Sequence, residues 1–182
     1  MILVIDFGSQ TCHLIGRRIR DLGATVKIID PENALKEIRE EKPNGIILSG
    51  GPAFVNKKGS PTIDKRVFSL GIPILGICYG WQLTSYLLGG VVGPGYKEYG
   101  PAHLKIRSSS SLFEKINPLS CVWVSHGDTV MKLPQGFRQT GETESVKYAA
   151  AEDSKRNIYG IQFHPEVEHT DYGLDILKNL LG

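Results

Sequence analysis

The sequence predicts an α/β fold with three layers, α/β/α, in which helices cover both faces of a mixed, mainly parallel central sheet. In the first half of the chain, four apolar runs rich in β-branched residues alternate with helix-like segments, at residues 2–7, 25–29, 45–50 and 72–77. Their hydrophobicity is continuous, as expected of strands buried on both faces in a parallel sheet. After residue 90 the strand candidates become shorter and are separated by turns, which predicts antiparallel strands added to the same sheet.

The first half also contains signals for helix ends. Apolar residues spaced along 14–22 form one stripe, which predicts an amphipathic helix between the first two strands. Gly23 follows this stripe as a C-cap, because glycine readily adopts the left-handed conformation in which many helices end. Ser60 and Pro61 are a typical N-cap and first-turn pair. They predict a further helix that ends at Gly71.

The second half begins with the turn-rich segment GGVVGPG at 89–95, which predicts a break in regular structure. Five strand candidates follow it, at 103–107, 121–125, 129–133, 147–151 and 158–163. A final helix is predicted after Thr170, which has the side chain of an N-cap. Leu174, Leu177 and Leu181 would lie on one face of that helix.

Composition limits the classes of protein to be considered. No repeat, low-complexity run or linker divides the chain, so residues 1–182 are expected to form one domain. The formal net charge is +2 and the basic residues are interspersed with acidic ones, whereas a protein that binds nucleic acid or an anionic membrane surface would carry a basic stripe. Three widely spaced cysteines, and no apolar run of about 20 residues, favour a soluble protein in the reducing cytoplasm.

The segment GICYGWQ at 76–82 is the first candidate for chemistry. It joins a predicted strand to a predicted helix, and Cys78 stands between Gly76 and Gly80. Small residues at these positions let the chain turn sharply while a nucleophile projects above the carboxyl ends of the strands. The nearby helix N-terminus favours a thiolate. The alternative is a buried structural cysteine, the commoner role for this residue type, but the two flanking glycines favour a nucleophile.

A base for this nucleophile is predicted in QFHPEV at 162–167. His164 ends the last strand candidate, and Pro165 restricts it to an extended conformation. Glu166 is two residues further on, so both side chains are expected on the same side of the chain. A carboxylate in that position would orient the imidazole and stabilise its charged form.

Acyl transfer also requires hydrogen-bond donors for the oxyanion. The backbone N–H of Tyr79 directly follows the nucleophile and is the first candidate. The segment SGGP at 49–52, after the third strand, supplies the second, because Gly50 and Gly51 let a backbone N–H approach a ligand closely. A plain β-turn is the alternative for this segment.

Metal and phosphate sites are not predicted. Cys78, His126 and His164 could be considered as zinc ligands, but neither a C-x-x-C pair nor closely spaced histidines accompany them. The segment NKKGSP reverses the order of a phosphate-binding loop. The segment GGVVGPG lacks the spacing of a dinucleotide-binding loop.

Together, GICYGWQ, QFHPEV and LSGGP resemble the motifs of class I (triad) glutamine amidotransferases, and the likeness runs the length of the chain. VIDFGSQ at 4–10 and VSHGD at 124–128 most resemble the glutaminase portion of GMP synthetases. The resemblance implies a flavodoxin-like fold. It also implies a role for each matching residue: Cys78 as nucleophile, His164 as base, Glu166 as its orienting group, and Gly50 or Gly51 with Tyr79 as the oxyanion hole. The implied substrate-binding residues are Gln82, Ser125 and His126, with Asp128 as a further candidate.

Three segments depart from the family pattern. Trp81 replaces a smaller residue between Gly80 and Gln82. Thr11 begins a segment, TCH, that usually starts with an aromatic residue, and TESVKYAA replaces a form that contains TESCP. None of these differences falls on the residues expected to react.

The reaction implied by the resemblance is hydrolysis of L-glutamine through a cysteine thioester. The ammonia would pass to an ATP-pyrophosphatase synthetase, as a joined domain or a separate subunit, which aminates XMP with ATP and Mg²⁺; no cofactor is implied for this chain itself. Three alternatives stay open at this point: a glutaminase that serves another synthase such as anthranilate synthase, a cysteine hydrolase of another amide or γ-glutamyl bond, and a binding module that has kept the fold without catalysis.

Overall fold

The computed structural model describes residues 1–182 and contains one sheet of nine strands. In chain order the elements are β1 Ile2–Ile5, α1 Cys12–Asp21, β2 Val26–Ile29, α2 Ala34–Glu41, β3 Gly45–Leu48, β4 Ile74–Ile77, α3 Tyr79–Leu87, β5 Val91–Ile106, β6 Leu119–Lys132, β7 Arg138–Glu142, β8 Ala150–Asp153, β9 Ile158–Ile161 and α4 Gly173–Leu181. The strand order is β2-β1-β3-β4-β9-β8-β7-β5-β6. The pairs from β2 to β9 are parallel and those from β9 to β6 are antiparallel, which confirms the predicted mixed sheet.

The two faces of the sheet bury two separate hydrophobic clusters. In β1, Ile2 and Val4 belong to the cluster that includes α1 and α4, whereas Leu3 and Ile5 belong to the cluster that includes α2 and α3. Successive residues of a strand point to opposite faces, so a strand covered on both sides must be apolar throughout. The predicted three-layer α/β/α arrangement is therefore confirmed. None of the helices combines the length and the apolar composition that crossing a bilayer would require.

The parallel strands bring distant motifs to one edge of the sheet. Strands β1, β3, β4 and β9 run in the same direction, so their carboxyl ends lie side by side. Ser49 follows β3, Cys78 follows β4 and Gln162 follows β9. Open α/β sheets bind their ligands at this edge.

The helix predicted between Ser60 and Gly71 is absent. The hydroxyl of Ser60 donates to the carbonyl of Phe54 at 2.5 Å and caps no helix. The carboxylate of Asp64 instead accepts from the backbone N–H of Arg66 at 2.9 Å and starts a 3-10 turn of five residues. The prediction was wrong because Asp64, and not Ser60, caps the turn. The segment between Asp64 and Gly71 is then too short for an α-helix of ordinary length.

The second half contains longer strands than the sequence predicted. Strand β5 begins at Val91 and runs through most of GGVVGPG, so the predicted break there was wrong. Its pairing with β6 shifts register between Pro94 and Glu98, and such an irregularity accommodates glycine and proline in a strand. The candidates at 121–125 and 129–133 form the single strand β6, and β7 was not predicted because its residues are mostly polar.

The final helix also begins later than predicted. Its N-cap is Tyr172, in the left-handed conformation with φ 59°, and its buried residues include Ile176, Leu177 and Leu180. Leu174 is exposed, so the predicted apolar face was wrong in part. The hydroxyl of Thr170 cannot cap this helix because it donates to the carbonyl of His164 at 2.6 Å and accepts from the N–H of Trp123 at 2.9 Å.

Candidate active site

Cys78 forms a one-residue turn between β4 and α3. Its φ of 52° and ψ of −109° are strained for a residue with a side chain. Two backbone hydrogen bonds hold the turn. The N–H of Cys78 donates to the carbonyl of Ile161 at 2.8 Å, and the N–H of Gly80 donates to the carbonyl of Ser49 at 3.1 Å. The sharp turn predicted from the sequence is therefore present, and the strain is located at the candidate nucleophile.

The two glycines around Cys78 are required by close backbone approaches. A Cβ atom at Gly76 would lie 2.7 Å from the carbonyl oxygen of Gly80. A Cβ atom at Gly80 would lie 2.3 Å from the carbonyl oxygen of Leu48 on β3. The first turn of α3 can therefore pack directly against the sheet only with these residues in place.

Trp81, which departs from the family pattern next to this turn, packs against the sheet without changing the turn. Its indole N–H donates to the carbonyl of Tyr148 at 3.1 Å, and its side chain is fully buried. The ring occupies the space beside Gly160 on β9, where a Cβ atom would lie 2.0 Å from it. A missing side chain on the neighbouring strand thus compensates for the large one on the helix.

His164 and Glu166 are joined by a short hydrogen bond. The imidazole Nδ1–H donates to Oε1 of Glu166 at 2.8 Å, since a carboxylate only accepts, and both residues are buried. Cys78 and His164 line the same cavity, and Nε2 is the ring nitrogen that the contact with Glu166 leaves free. The structure therefore brings the predicted nucleophile, base and orienting carboxylate together.

The protonation of His164 follows from these contacts. Burial disfavours a charged imidazole and lowers its pKa, but the interactions of the ring with the neighbouring Cys78 and with Glu166 raise the pKa and outweigh burial. The net effect raises the pKa of His164 from 6.5 to about 10. At neutral pH the ring accordingly carries a proton next to the sulfur, and a cation in this position favours a thiolate.

Two threonines that the sequence analysis did not assign to the site support this pair. Thr11 donates its hydroxyl proton to Oε1 of Glu166 at 2.7 Å, while Oε2 of Glu166 is buried without a partner. Thr170 holds the backbone carbonyl of His164. Local sequence carried no signal for either contact, because Thr11 is 155 residues from Glu166 along the chain and Thr170 resembled a helix cap.

The three backbone donors predicted for an oxyanion lie near Cys78. The N–H groups of Gly50, Gly51 and Tyr79 make no hydrogen bond to a protein acceptor. A Cβ atom at Gly50 would lie 3.0 Å from Cε1 of His164 and 3.5 Å from Cβ of Cys78. At Gly51 it would lie 2.2 Å from the carbonyl oxygen of Phe7, so only glycine allows this approach.

A cavity of about 540 Å³ opens over Cys78. Its lining includes all the predicted substrate-binding residues beside the nucleophile and base: Cys78, Gln82, Ser125, His126, Asp128 and His164. Gln82 donates to the carbonyl of Asp128 at 2.9 Å. The ring of His126 lies 2.9 Å from the same carbonyl through Nδ1 and 2.8 Å from Glu98 through Nε2. His126 therefore uses both nitrogens within the protein and holds the shape of the cavity wall.

The remaining cysteines differ from Cys78 in their surroundings. Cys12 is buried, and burial together with the neighbouring Asp6 raises the pKa of its thiol to about 12. Cys121 is half-buried. No group of three histidine, cysteine or acidic side chains is arranged to hold a metal ion.

Family comparison agrees with this geometry. The family model of class I glutamine amidotransferases matches residues 3–181. The chain belongs to this family. Curated members named GMP synthase (glutamine-hydrolyzing) from Staphylococcus epidermidis, Staphylococcus aureus and Macrococcus caseolyticus are each 50% identical to it over 182 residues. These matches cover 100% of the chain but 35% of each relative, so this amidotransferase chain spans about a third of their length.

Solved structures of amidotransferases show the same fold. The crystal structure of a protein from Thermoplasma acidophilum, named as a candidate GMP synthase subunit, superposes with a TM-score of 0.90 at 32% identity, over 100% of this chain and 92% of that one. A glutamine amidotransferase from Thermotoga maritima superposes with a TM-score of 0.75 at 24% identity, over 91% of this chain and 76% of that one. The second match supports the fold alone.

Proposed function

We propose that residues 1–182 form one glutaminase domain or subunit of a GMP synthase, with Cys78 as its nucleophile. The observation that carries this proposal is the cavity in which Cys78 lies beside His164, whose imidazole is hydrogen-bonded to Glu166. The backbone N–H groups of Gly50, Gly51 and Tyr79 lie close by without a protein acceptor. The 50% identity to GMP synthases over the whole chain supports the choice of this branch of the family.

In the first half of the proposed reaction, the thiolate of Cys78 attacks the side-chain carbonyl carbon of L-glutamine. The carbonyl oxygen becomes an oxyanion, which the N–H groups of Tyr79 and of Gly50 or Gly51 stabilise. Protonated His164 then gives its proton to the amide nitrogen. The carbon–nitrogen bond breaks, and the products are ammonia and a thioester on Cys78.

In the second half, His164 returns to its protonated form. As a neutral base it takes a proton from water while the water oxygen attacks the thioester. Glutamate leaves, and Cys78 and protonated His164 are restored. Glu166 stabilises the charged ring in each resting stage, since Glu166 contributes to the raised pKa of His164.

The ammonia requires a partner. Free ammonia becomes mostly ammonium in neutral water and then is no longer a nucleophile, so we propose direct transfer to an ATP-pyrophosphatase synthetase docked over the cavity. That partner would convert XMP to GMP with ATP and Mg²⁺. We place the pair in the cytoplasm, where a reactive thiol such as that of Cys78 stays reduced.

The decisive experiment treats the protein with 6-diazo-5-oxo-norleucine, an electrophilic analogue of glutamine, and locates the adduct by mass spectrometry. We expect one adduct on Cys78 and none in Cys78→Ser. An unlabelled Cys78 beside rapid labelling by a general alkylating agent would favour a hydrolase of another amide or γ-glutamyl bond.

The branch of the family is tested with purified synthetases. We expect weak release of glutamate by the chain alone and a rise when the synthetase of a GMP synthase is added with XMP and ATP. A rise with an anthranilate synthase component instead would assign the chain to that enzyme. Partner binding without any glutamine turnover would indicate a non-catalytic module.

A further inference from the structure

Gln162 lies between the sulfur and the wall of the cavity, and none of the steps above uses it. It follows β9 directly, and its side chain is buried. Its Nε2 lies 3.5 Å from Sγ of Cys78, and its Oε1 lies 3.3 Å from Nε2 of Gln82. One buried amide thus contacts both the candidate nucleophile and a residue that faces the substrate cavity.

The neighbouring hydrogen bonds determine which way this amide points. The carbonyl oxygen of Asp128 can only accept, so Gln82 directs its NH₂ group at it. The second hydrogen of that NH₂ group reaches Oε1 of Gln162. Because the oxygen of Gln162 is used in this way, its own NH₂ group faces the sulfur. Gln162 is therefore a donor to Cys78.

A donor in this position acts on the charged form of Cys78. As a thiol, Cys78 can donate to the carbonyl of Ser125, which lies 3.5 Å from the sulfur. When Cys78 is a thiolate, that carbonyl oxygen offers it no hydrogen, whereas the NH₂ group of Gln162 does. A hydrogen bond to an ion is stronger than one between neutral groups, and burial strengthens it further.

Of the two hydrogen-bonded side-chain amides, that of Gln82 faces the cavity. Oε1 of Gln82 accepts no hydrogen bond from the protein, and Gln82 lines the cavity. A positively charged group of a ligand on that oxygen would polarise the NH₂ group of Gln82, and through it the amide of Gln162. Binding in the cavity and stabilisation of the thiolate would then be linked.

We propose that Gln162 is a further catalytic residue, whose side-chain amide stabilises the thiolate of Cys78 and connects it to Gln82 in the substrate cavity. The inference rests on the proposed role of Cys78 as nucleophile. Gln162 would supply a hydrogen bond to the sulfur of Cys78, and the proton transfers through His164 would stay as described.

The test compares Gln162→Met and Gln162→Glu with the wild type by the rate at which iodoacetamide alkylates Cys78 at neutral pH. We expect Gln162→Met to react about tenfold more slowly, because one hydrogen bond to a charged atom is lost. Gln162→Glu should be slower still, since a carboxylate would face the thiolate. The exposed Gln135→Met is the matched control and should react like the wild type. Wild-type rates in both Gln162 variants would overturn the proposal.

A second readout separates thiolate stabilisation from packing. Thiolate absorbance at 240 nm is followed against pH, and the signal of Cys78→Ser, which retains Cys12 and Cys121, is subtracted. We expect the Cys78 signal to appear at higher pH in Gln162→Met than in the wild type. A packing role would lower the midpoint of thermal unfolding and leave the thiolate signal where it was, which would refute the proposal.

The wild-type protein provides the same test if either variant fails to fold. The assigned side-chain NH₂ resonances of Gln162 should shift with pH together with the thiolate absorbance, and should stay constant in Cys78→Ser. If the chemical shifts of this NH₂ group do not change as the sulfur ionises, the proposal is overturned. Absence of a 6-diazo-5-oxo-norleucine adduct on wild-type Cys78 would instead count against the proposed function, so the two failures are distinguishable.

Discussion

At the scale of single residues, the pKa of His164 is a measure of how its neighbours in the site act on the imidazole. Its pKa is raised to about 10, and the carboxylate of Glu166 contributes both a hydrogen bond and a charge to that rise. We expect NMR titration of labelled histidine to show the ring protonated through neutral pH, and Glu166→Gln to lower its pKa. The exposed Glu114→Gln is the control and should leave the titration unchanged. An unaltered titration in Glu166→Gln would show that another group holds the proton.

Thr11 allows a test of how Glu166 is held. Thr11→Val keeps the shape of the side chain but removes the donor to Oε1, and leaves a buried carboxylate with His164 as its remaining side-chain partner. We expect kcat for glutamine hydrolysis to fall about tenfold with little change in KM, since the loss of one hydrogen bond to a charged group has this size. Thr11→Ser should restore the wild-type rate. Equal loss in both variants would point to packing of the loop.

At the residue level, short sequence motifs were enough to predict which side chains would lie together, while their catalytic roles stay predictions. Cys78 with its glycines, and His164 with Glu166, are local patterns, and the fold brings them together. Thr11 and Gln162 were not predicted because their partners in the site, Glu166 and Cys78, are 155 and 84 residues away along the chain. Their roles become visible only when donors and acceptors are counted in three dimensions.

At the scale of elements, the contact between α3 and β9 explains how Trp81 is tolerated. Gly160→Ala would place a Cβ atom 2.0 Å from the indole ring, so helix or strand must move. We expect a loss of about 1–3 kcal/mol in the free energy of unfolding, the usual range for overpacking a core. Urea denaturation measures it, and in a Trp81→Ala background the same change should be much less harmful. Equal losses in both backgrounds would locate the strain elsewhere.

The strands of the first half were predictable because parallel strands covered on both faces leave continuous apolar runs. The ribbon of β5 and β6 was less predictable, since Gly93 and Pro94 lie within a strand whose pairing becomes irregular near them. The helix expected after Ser60 failed for a different reason: hydroxyl and carboxylate groups compete for the same backbone donors, and Asp64 supplies the cap that is used.

At the scale of the whole molecule, Cys12 reports on global unfolding. It is the buried first residue of α1, and its thiol pKa of about 12 leaves almost no thiolate at neutral pH. We expect iodoacetamide in native buffer to modify Cys78 and to spare Cys12, and Cys12 to react only across the urea unfolding transition. Peptide mass spectrometry distinguishes the three cysteines. Rapid labelling of Cys12 in native buffer would reveal local opening of α1.

The register of β4 and β9 has a consequence for how such a protein can diverge. Ile77 and Ile161 are paired neighbours, and Cys78 and His164 are attached one and three residues beyond them. The separation of the two reacting groups is therefore governed by the spacing of adjacent strands, about 4.8 Å, and by two short extensions. Insertions in surface loops can accordingly remodel what docks on the molecule while the distance across which the proton moves is preserved.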